Sequence, residues 1–465
     1  MADAPTRSAV QQLPHELVHH ILTLCPDPAS LSSLSRSCSA FYAAFAARPA
    51  KIITAVLSLN IHPSVQRDAY IAMAASRLSP DDPAGFDQFL DETLYPKPAP
   101  PVPWTLRDAV DAVRFHSHVQ YLAEALSQQI LQAEPFTAPT YGGNDNDGDS
   151  AFPASPPPPP ATTSEISRFQ RALYRLQTFC ELLNRESSYE EVCKVKGFAT
   201  SPDVWLACYA EFATYEIEQL SCLNDLLMAL VAQKFNDIVL HDVTWGHLGV
   251  RLITSASSRL GQEVLSRGLE TLRALYEATS YDDSREILHL GETRYDRPVE
   301  RRNFLIDRFD DLDGRQYLGH IGVFDDLPPE VKAKLIRKPF YLDPDPGPGR
   351  VWERVHLSEG IPIGLVAVHQ FRHYRRWGYV FWDEERLEKL GAFDERWDDV
   401  ASSPAAPEDP FLVYWEIHPE EMAASQMLRS KIWARGGRGY WDHDDESQVI
   451  FPARAIRRIC ASIYD

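Results

Sequence analysis

Glycine is scarce in this chain, at 22 of 465 residues. Few positions can then enter positive-φ turns cheaply, which counts against a fold built from many tight β-hairpins. Positive charge is also short: 46 Lys and Arg face 66 Asp and Glu, a formal net charge of −20. A field of that sign repels phosphate, so generic binding to nucleic acid or to an anionic membrane surface is disfavoured. Long apolar runs are missing as well. The longest clean one, at 226–232, is far short of the roughly 18 residues a membrane helix needs. The first fourteen residues carry no apolar stretch of the kind a signal peptide uses. Cysteine numbers 7, an odd count, scattered and without a C-x-x-C pair. Such residues read as small buried hydrophobes in a reducing compartment. The expected setting is therefore soluble and intracellular, cytoplasmic and/or nuclear.

The common catalytic signatures are absent too. There is no G-x-x-x-x-G-K-[ST], H-E-x-x-H, G-x-S-x-G or G-x-G-x-x-G in the sequence. The acidic run 307–314 fails as a calcium loop, because placing Gly314 at loop position 6 puts Phe309 and His320 where oxygen ligands belong. His116 and His118 diverge on a helix, and His369 and His373 lack a following Glu at metalloprotease spacing. The cluster Asp442 to Glu446 reads as a hydrophilic loop. No metal or cofactor is expected. Arg372 to Tyr379 and the lone R-G-G at 435–437 resemble nucleic-acid binders only superficially, since such segments work as arrays. Glycine at positive φ explains the second equally well.

What is present is helical periodicity, with 35 prolines marking the connections. Leu13, Leu17 and Ile21 recur at i, i+4, i+8, and after the turn Pro26-Asp27-Pro28 come Leu31, Leu34, Cys38 and Phe41. Further helices are expected at 52–59, 64–76 and 85–93. Residues 96–103 form a polyproline-type connector, and Thr105 with Asp108 caps a helix through Leu126. Residues 135–164 offer no apolar face and read as a disordered linker. Beyond it, Ile166 to Leu183 and a helix opened by Ser201-Pro202-Asp203 follow helical spacing, as does 259–276. Residues 281–348 have weak pattern, and 362–382 mixes helical and strand spacing. The expected fold is mainly α: a three-helix unit at 9–50, a helical extension at 51–134, the linker at 135–164 and an irregular multi-helix region at 165–465, with room for a small β element near the C-terminus.

The N-terminal pattern carries the sharpest signal. Leu13-Pro14-x-Glu16-Leu17-x-x-x-Ile21-Leu22, then Leu31-x-x-Leu34-x-Arg36-x-Cys38-x-x-Phe41-Tyr42, resembles an F-box over about 35 residues. Segments such as 169–176, 376–383 and 435–447 look like those of uncharacterised filamentous-fungal F-box proteins without leucine-rich, WD or kelch repeats. Gly364 to Asp383 shows a weaker likeness to a small C-terminal β domain of some F-box proteins. The resemblance implies docking on the Skp-family adaptor and, through it, the cullin of an SCF ubiquitin ligase. Leu13, Pro14, Leu17, Ile21, Leu22, Leu31, Leu34 and Cys38 would form or support that face. A Ser-rich second half, Ser30 to Ser39, departs from the usual pattern and would weaken the docking.

The residues alone point the same way. Three short helices bury little surface and carry more apolar positions than one hairpin core can use, and the surplus calls for a partner. The C-terminal region would then recruit a protein substrate without bond chemistry of its own. Trp377, Tyr379, Trp382, Tyr440 and Trp441 are its aromatic candidates for binding. Most of the negative charge lies beyond residue 164, so a basic substrate surface is expected. The rival readings are a helical scaffold outside ubiquitin ligation and an enzyme with an unrecognised C-terminal site.

Overall fold

The computed structural model describes residues 13–79, 81–94, 102–133, 158–183, 212–256, 258–288, 343–356, 372–394 and 417–452, with 329, 411 and 414 singly. Helix accounts for 69% of them and strand for 3%, so the chain is mainly α. No single helix among the described residues is long and apolar enough to cross a membrane. The chain divides into two compact units. One comprises Met1–Leu227, Leu265–Arg273 and Val299–Glu408; the other comprises Met228–Val264, Ala274–Pro298 and Asp409–Asp465.

The first unit opens with α1 (His15–Thr23), α2 (Pro28–Ser35), α3 (Ser39–Ala47) and α4 (Pro49–Leu57). The Asp27 carboxylate accepts the Ser30 amide at 2.8 Å and Pro28 occupies the first turn, so the proline-bounded turn is a helix start. Val18, Leu22, Leu31, Phe41 and Ala44 are buried with Ile52, Ile53, Val56 and Leu57 of α4. The fourth helix packs on α1, α2 and α3 and completes a core that three helices alone would leave open.

Next come α5 (Gln66–Ser76), α6 (Pro83–Gln88), a π turn at Phe89–Thr93, α7 (Leu106–Leu131) and α8 (Thr163–Leu183). Thr105 and Asp108 form the expected capping box at the start of α7. Composition places a break at 135–164, yet α8 packs directly against α5 and α7. The end of that segment is also fixed: the Pro159 and Pro160 carbonyls accept Arg386 at 3.0 and 2.9 Å, and the Thr162 hydroxyl meets Asp383 at 2.5 Å. Local composition cannot register partners more than 200 positions away. Residues 134–157, most of the 96–103 connector and the Ser201-Pro202-Asp203 cap lie outside the described residues, as do 307–314, His369 and 362–371.

Arginine side chains hold the interior of this unit. Arg175 of α8 donates to Asp68 at 3.0 Å and Glu216 at 2.9 Å, with its guanidinium 4.1 Å from the Phe212 ring centre. Arg168 joins Asp343 at 2.8 Å and Asp383 at 2.7 Å. Arg375 joins Glu218 at 3.0 Å and Asp225 at 3.2 Å. Burial pushes the Asp68 and Glu218 carboxyls up, and their arginine partners pull them back. Helix α9 (Thr214–His241) contributes its residues through Leu227 here, with Ile217, Leu220 and Leu223 buried as expected.

His116 illustrates the same economy. It is buried between α7 and α8, and its Nδ1 lies 3.0 Å from the Tyr174 hydroxyl. Burial holds its pKa down at about 4. The unfolded chain, titrating near 6.5, binds the proton more readily, so stability present above pH 6.5 is lost as pH falls toward 4. This group accounts for a loss of about 2 kcal/mol between pH 7 and 5. Urea midpoints across that window should show a shallower slope for His116→Gln than for the unaltered protein; equal slopes would contradict the assignment.

The second unit holds α9 from Met228 onward and α10 (Val243–Leu248). A single helix expected over 259–276 is two, α11 (Arg259–Leu265) and α12 (Leu269–Glu277), broken at Gly268 with φ of 92°. Only glycine adopts that backbone freely. There follow α13 (Tyr281–Ile287), α14 (Gly347–His356), α15 (Arg372–Arg375), a 3-10 turn at Tyr379–Phe381, α16 (Glu384–Lys389) and α17 (Pro419–Ala434). Of these, α13 and α17 belong to the second unit. Its small sheet pairs β1 (Arg438–Gly439) antiparallel with β2 (Val449–Ile450). The strand element thus sits at 438–450, whereas the described part of 362–382 is helical. Val243, Ile432, Trp441 and Val449 form a core cluster beside it. Gly436 and Gly439 have φ of 91° and 93°, so the R-G-G stretch is a turn.

Candidate partner-docking face

At 100° per residue, Leu13, Leu17, Ile21 and Leu24 fall within about 80° of arc on α1 and its flanks. Val18, Leu22 and Cys25 occupy the adjoining arc. The structure separates the two sets by burial. Leu17 is 50% exposed and Leu24 62%, with Leu13 and Ile21 at 38% each, whereas Val18 and Leu22 are at 3% and 0%. Leu17 and Ile21 of α1, with Leu13 and Leu24 at its two ends, are therefore left exposed by the described residues. Tyr42 of α3, 62% exposed, is a further aromatic on this helical unit.

Of the residues expected for docking, Leu13, Pro14, Leu17 and Ile21 are exposed, and Leu34 and Cys38 are half-buried. Leu22 and Leu31 are fully buried, so they support the face by holding α1 and α2 in place and do not form its outer surface. Leu24 and Tyr42 also belong on the outer surface, Tyr42 inside the quoted pattern but outside the expected docking set and Leu24 outside both. Helical spacing from Leu17 and Ile21 was the available signal for Leu24. Cys25, Cys38, Cys180 and Cys222 are free thiols, and burial pushes those of Cys25, Cys180 and Cys222 up, in keeping with a packing role.

The aromatic candidates for substrate binding need a larger correction. Trp377, Tyr379 and Trp382 are core side chains, each 1% exposed or less. The Trp382 indole donates to the Trp377 carbonyl at 2.7 Å, and the Tyr379 hydroxyl meets His356 Nε2 at 2.9 Å. Beside them Phe381 stacks on Phe169 at 3.9 Å. Trp441 is buried in the cluster with Val243 and Ile432. Tyr440 alone is partly accessible, stacked on His241 at 4.7 Å and edge-on to Tyr281 at 5.1 Å. Interior filling explains the aromatic richness of these segments: large rings bury the most area per residue.

The basic stretches are likewise engaged within the chain, the first of them buried at Arg375 and the second exposed at Arg435 and Arg438. Arg375 is engaged by buried carboxylates, Arg435 pairs with Glu446, and Arg438 lies 4.9 Å from the Trp433 ring centre. No group of three metal-ligating side chains occurs among the described residues. Comparison with known proteins adds nothing to this picture: no protein-family model, curated protein or solved structure matches the chain. What the fold establishes is a mainly helical protein of two units, with aliphatic side chains on its first helix that the described residues leave exposed.

Proposed function

We propose that this protein is a non-catalytic substrate receptor of an SCF-type ubiquitin ligase. The observation that carries the reading is the aliphatic row Leu13, Leu17, Ile21 and Leu24, exposed on α1 while Val18 and Leu22 of the same helix fill the core. A helix that has satisfied its own core and still presents four such side chains gains by burying them against a partner, at about 25 cal/mol per Å² removed from water. The F-box-like spacing of these residues names the partner as a Skp-family adaptor, with cullin reached through it. The chain would hold a protein substrate near the ligase and raise its effective concentration there. Affinity purification of the tagged full-length protein should recover a Skp-family adaptor and a cullin together. Recovery of neither would overturn the reading.

A further inference from the structure

The second unit contains a cavity of about 290 Å³ between the C-terminal part of α9 and the start of α13. At the roughly 30 Å³ that one water occupies in the liquid, it has room for about ten non-hydrogen atoms. Two opposite charges line it from one face of α9, Lys234 and Asp237. At i, i+3 such a pair ordinarily closes on itself. Here it does not. The Lys234 ammonium is drawn to the Ala278 carbonyl at 2.6 Å, and the Asp237 carboxylate lies 3.9 Å from the His241 ring. The Asp237 side chain remains 53% exposed.

The opposite wall supplies hydroxyl groups. The Ser280 hydroxyl is spent on Asp283 at 2.6 Å and that of Tyr281 on Asp242 at 2.5 Å. Ser284, 4% exposed, lines the same wall. A hydroxyl on such a wall can donate to or accept from a bound polar group. A lone cation would meet the Lys234 ammonium and a lone anion the Asp237 carboxylate, so neither suits the cavity.

We propose that this cavity binds a small polar α-amino acid. Its carboxylate would sit on Lys234, its ammonium on Asp237, and its side-chain polar group on Ser284. This site is independent of the docking face on α1.

Calorimetric titration of the full-length protein with L-asparagine and L-glutamine tests the idea. Saturable binding with a dissociation constant below about 1 mM is expected for at least one of them. Succinamic acid, which lacks the ammonium of asparagine, and 3-aminopropanamide, which lacks its carboxylate, should each bind at least tenfold more weakly. Asp237→Asn and Lys234→Met should each weaken the amino acid at least tenfold. Lys234 also supports the Ala278 carbonyl, so circular dichroism checks that variant's fold, and Asp237→Asn together with the two analogues decides if it fails. Absence of saturable binding by both amino acids would overturn the proposal. So would an analogue that binds as well as asparagine, or an affinity untouched by Asp237→Asn.

Discussion

Replacing Leu17 and Ile21 together by Asp should lower affinity for a Skp-family adaptor at least 100-fold, equivalent to about 2.7 kcal/mol. Each substitution removes an aliphatic side chain from the outer row of α1 and puts a carboxylate where an apolar interface would close over it. Burying an unpaired charge in such an interface costs several kcal/mol, so two substitutions exceed that threshold comfortably. Both positions are accessible, at 50% and 38%, so the isolated fold has little to lose. The urea midpoint and the helical circular dichroism signal should stay close to those of the unaltered protein. Leu22→Asp is the contrasting control. That side chain is fully buried, and its replacement should unfold the N-terminal helices with no selectivity for the partner. Undiminished adaptor affinity in the double Leu17 and Ile21 variant would remove α1 as the docking face.

Arg175→Met should cost about 3–5 kcal/mol of stability, a large part of the 5–15 kcal/mol typical of a domain. Removing the guanidinium leaves the carboxylates of Asp68 and Glu216 without their shared cation, and their side chains are 0% and 3% exposed. It also empties the cation position over the Phe212 ring. The loss has a pH signature. Desolvation already pushes the Asp68 carboxyl up, and Arg175 is the first group pulling it back. Without Arg175 the folded state binds a proton at Asp68 more readily than the unfolded chain does, so the stability difference between variant and unaltered protein should narrow as pH falls from 7 toward 5. The His116 contribution is common to both proteins and cancels in that difference. Denaturant midpoints of both proteins across this window measure the narrowing. A triple variant, Arg175→Met with Asp68→Leu and Glu216→Met, should recover most of the stability, since a buried ion pair can be exchanged for packed apolar groups at little net cost. Loss of under 1 kcal/mol in the single variant would mean that water reaches the carboxylates.

The helical character of the chain and the start of several helices were legible because their causes are local. Apolar spacing at Leu13, Leu17 and Ile21, the Asp27 cap and the Thr105–Asp108 capping box each act within one or two turns. The turn at Gly436 was legible for the same reason, since the need for positive φ is a property of the residue itself. The split at Gly268 was equally local but was masked by an apolar rhythm running through it. The three-helix reading of the N-terminus fell short because Ile52, Ile53, Val56 and Leu57 of α4 complete the core from outside the motif.

The aromatic candidates show where sequence runs out. Trp377, Tyr379 and Trp382 look the same on paper whether they fill an interior or greet a ligand. Only the positions of Phe169, His356 and Phe381 around them decide that they are interior. The buried arginines make the same point with charge. On α8, Arg168 and Arg175 read as the solvated side of an amphipathic helix, yet both are fully buried. Their carboxylate partners come from positions as distant as Asp68 and Asp383.

The scarcity of glycine, the surplus of proline and the helical rhythm thus determined by themselves that this protein would be built of helices with an apolar first helix. Tertiary structure alone decided which aliphatic side chains of that helix stay outside, which charges are buried in pairs, and that Lys234 and Asp237 face a common cavity unpaired. Periodicity sets which residues share a face, but burial depends on what the rest of the chain brings against that face.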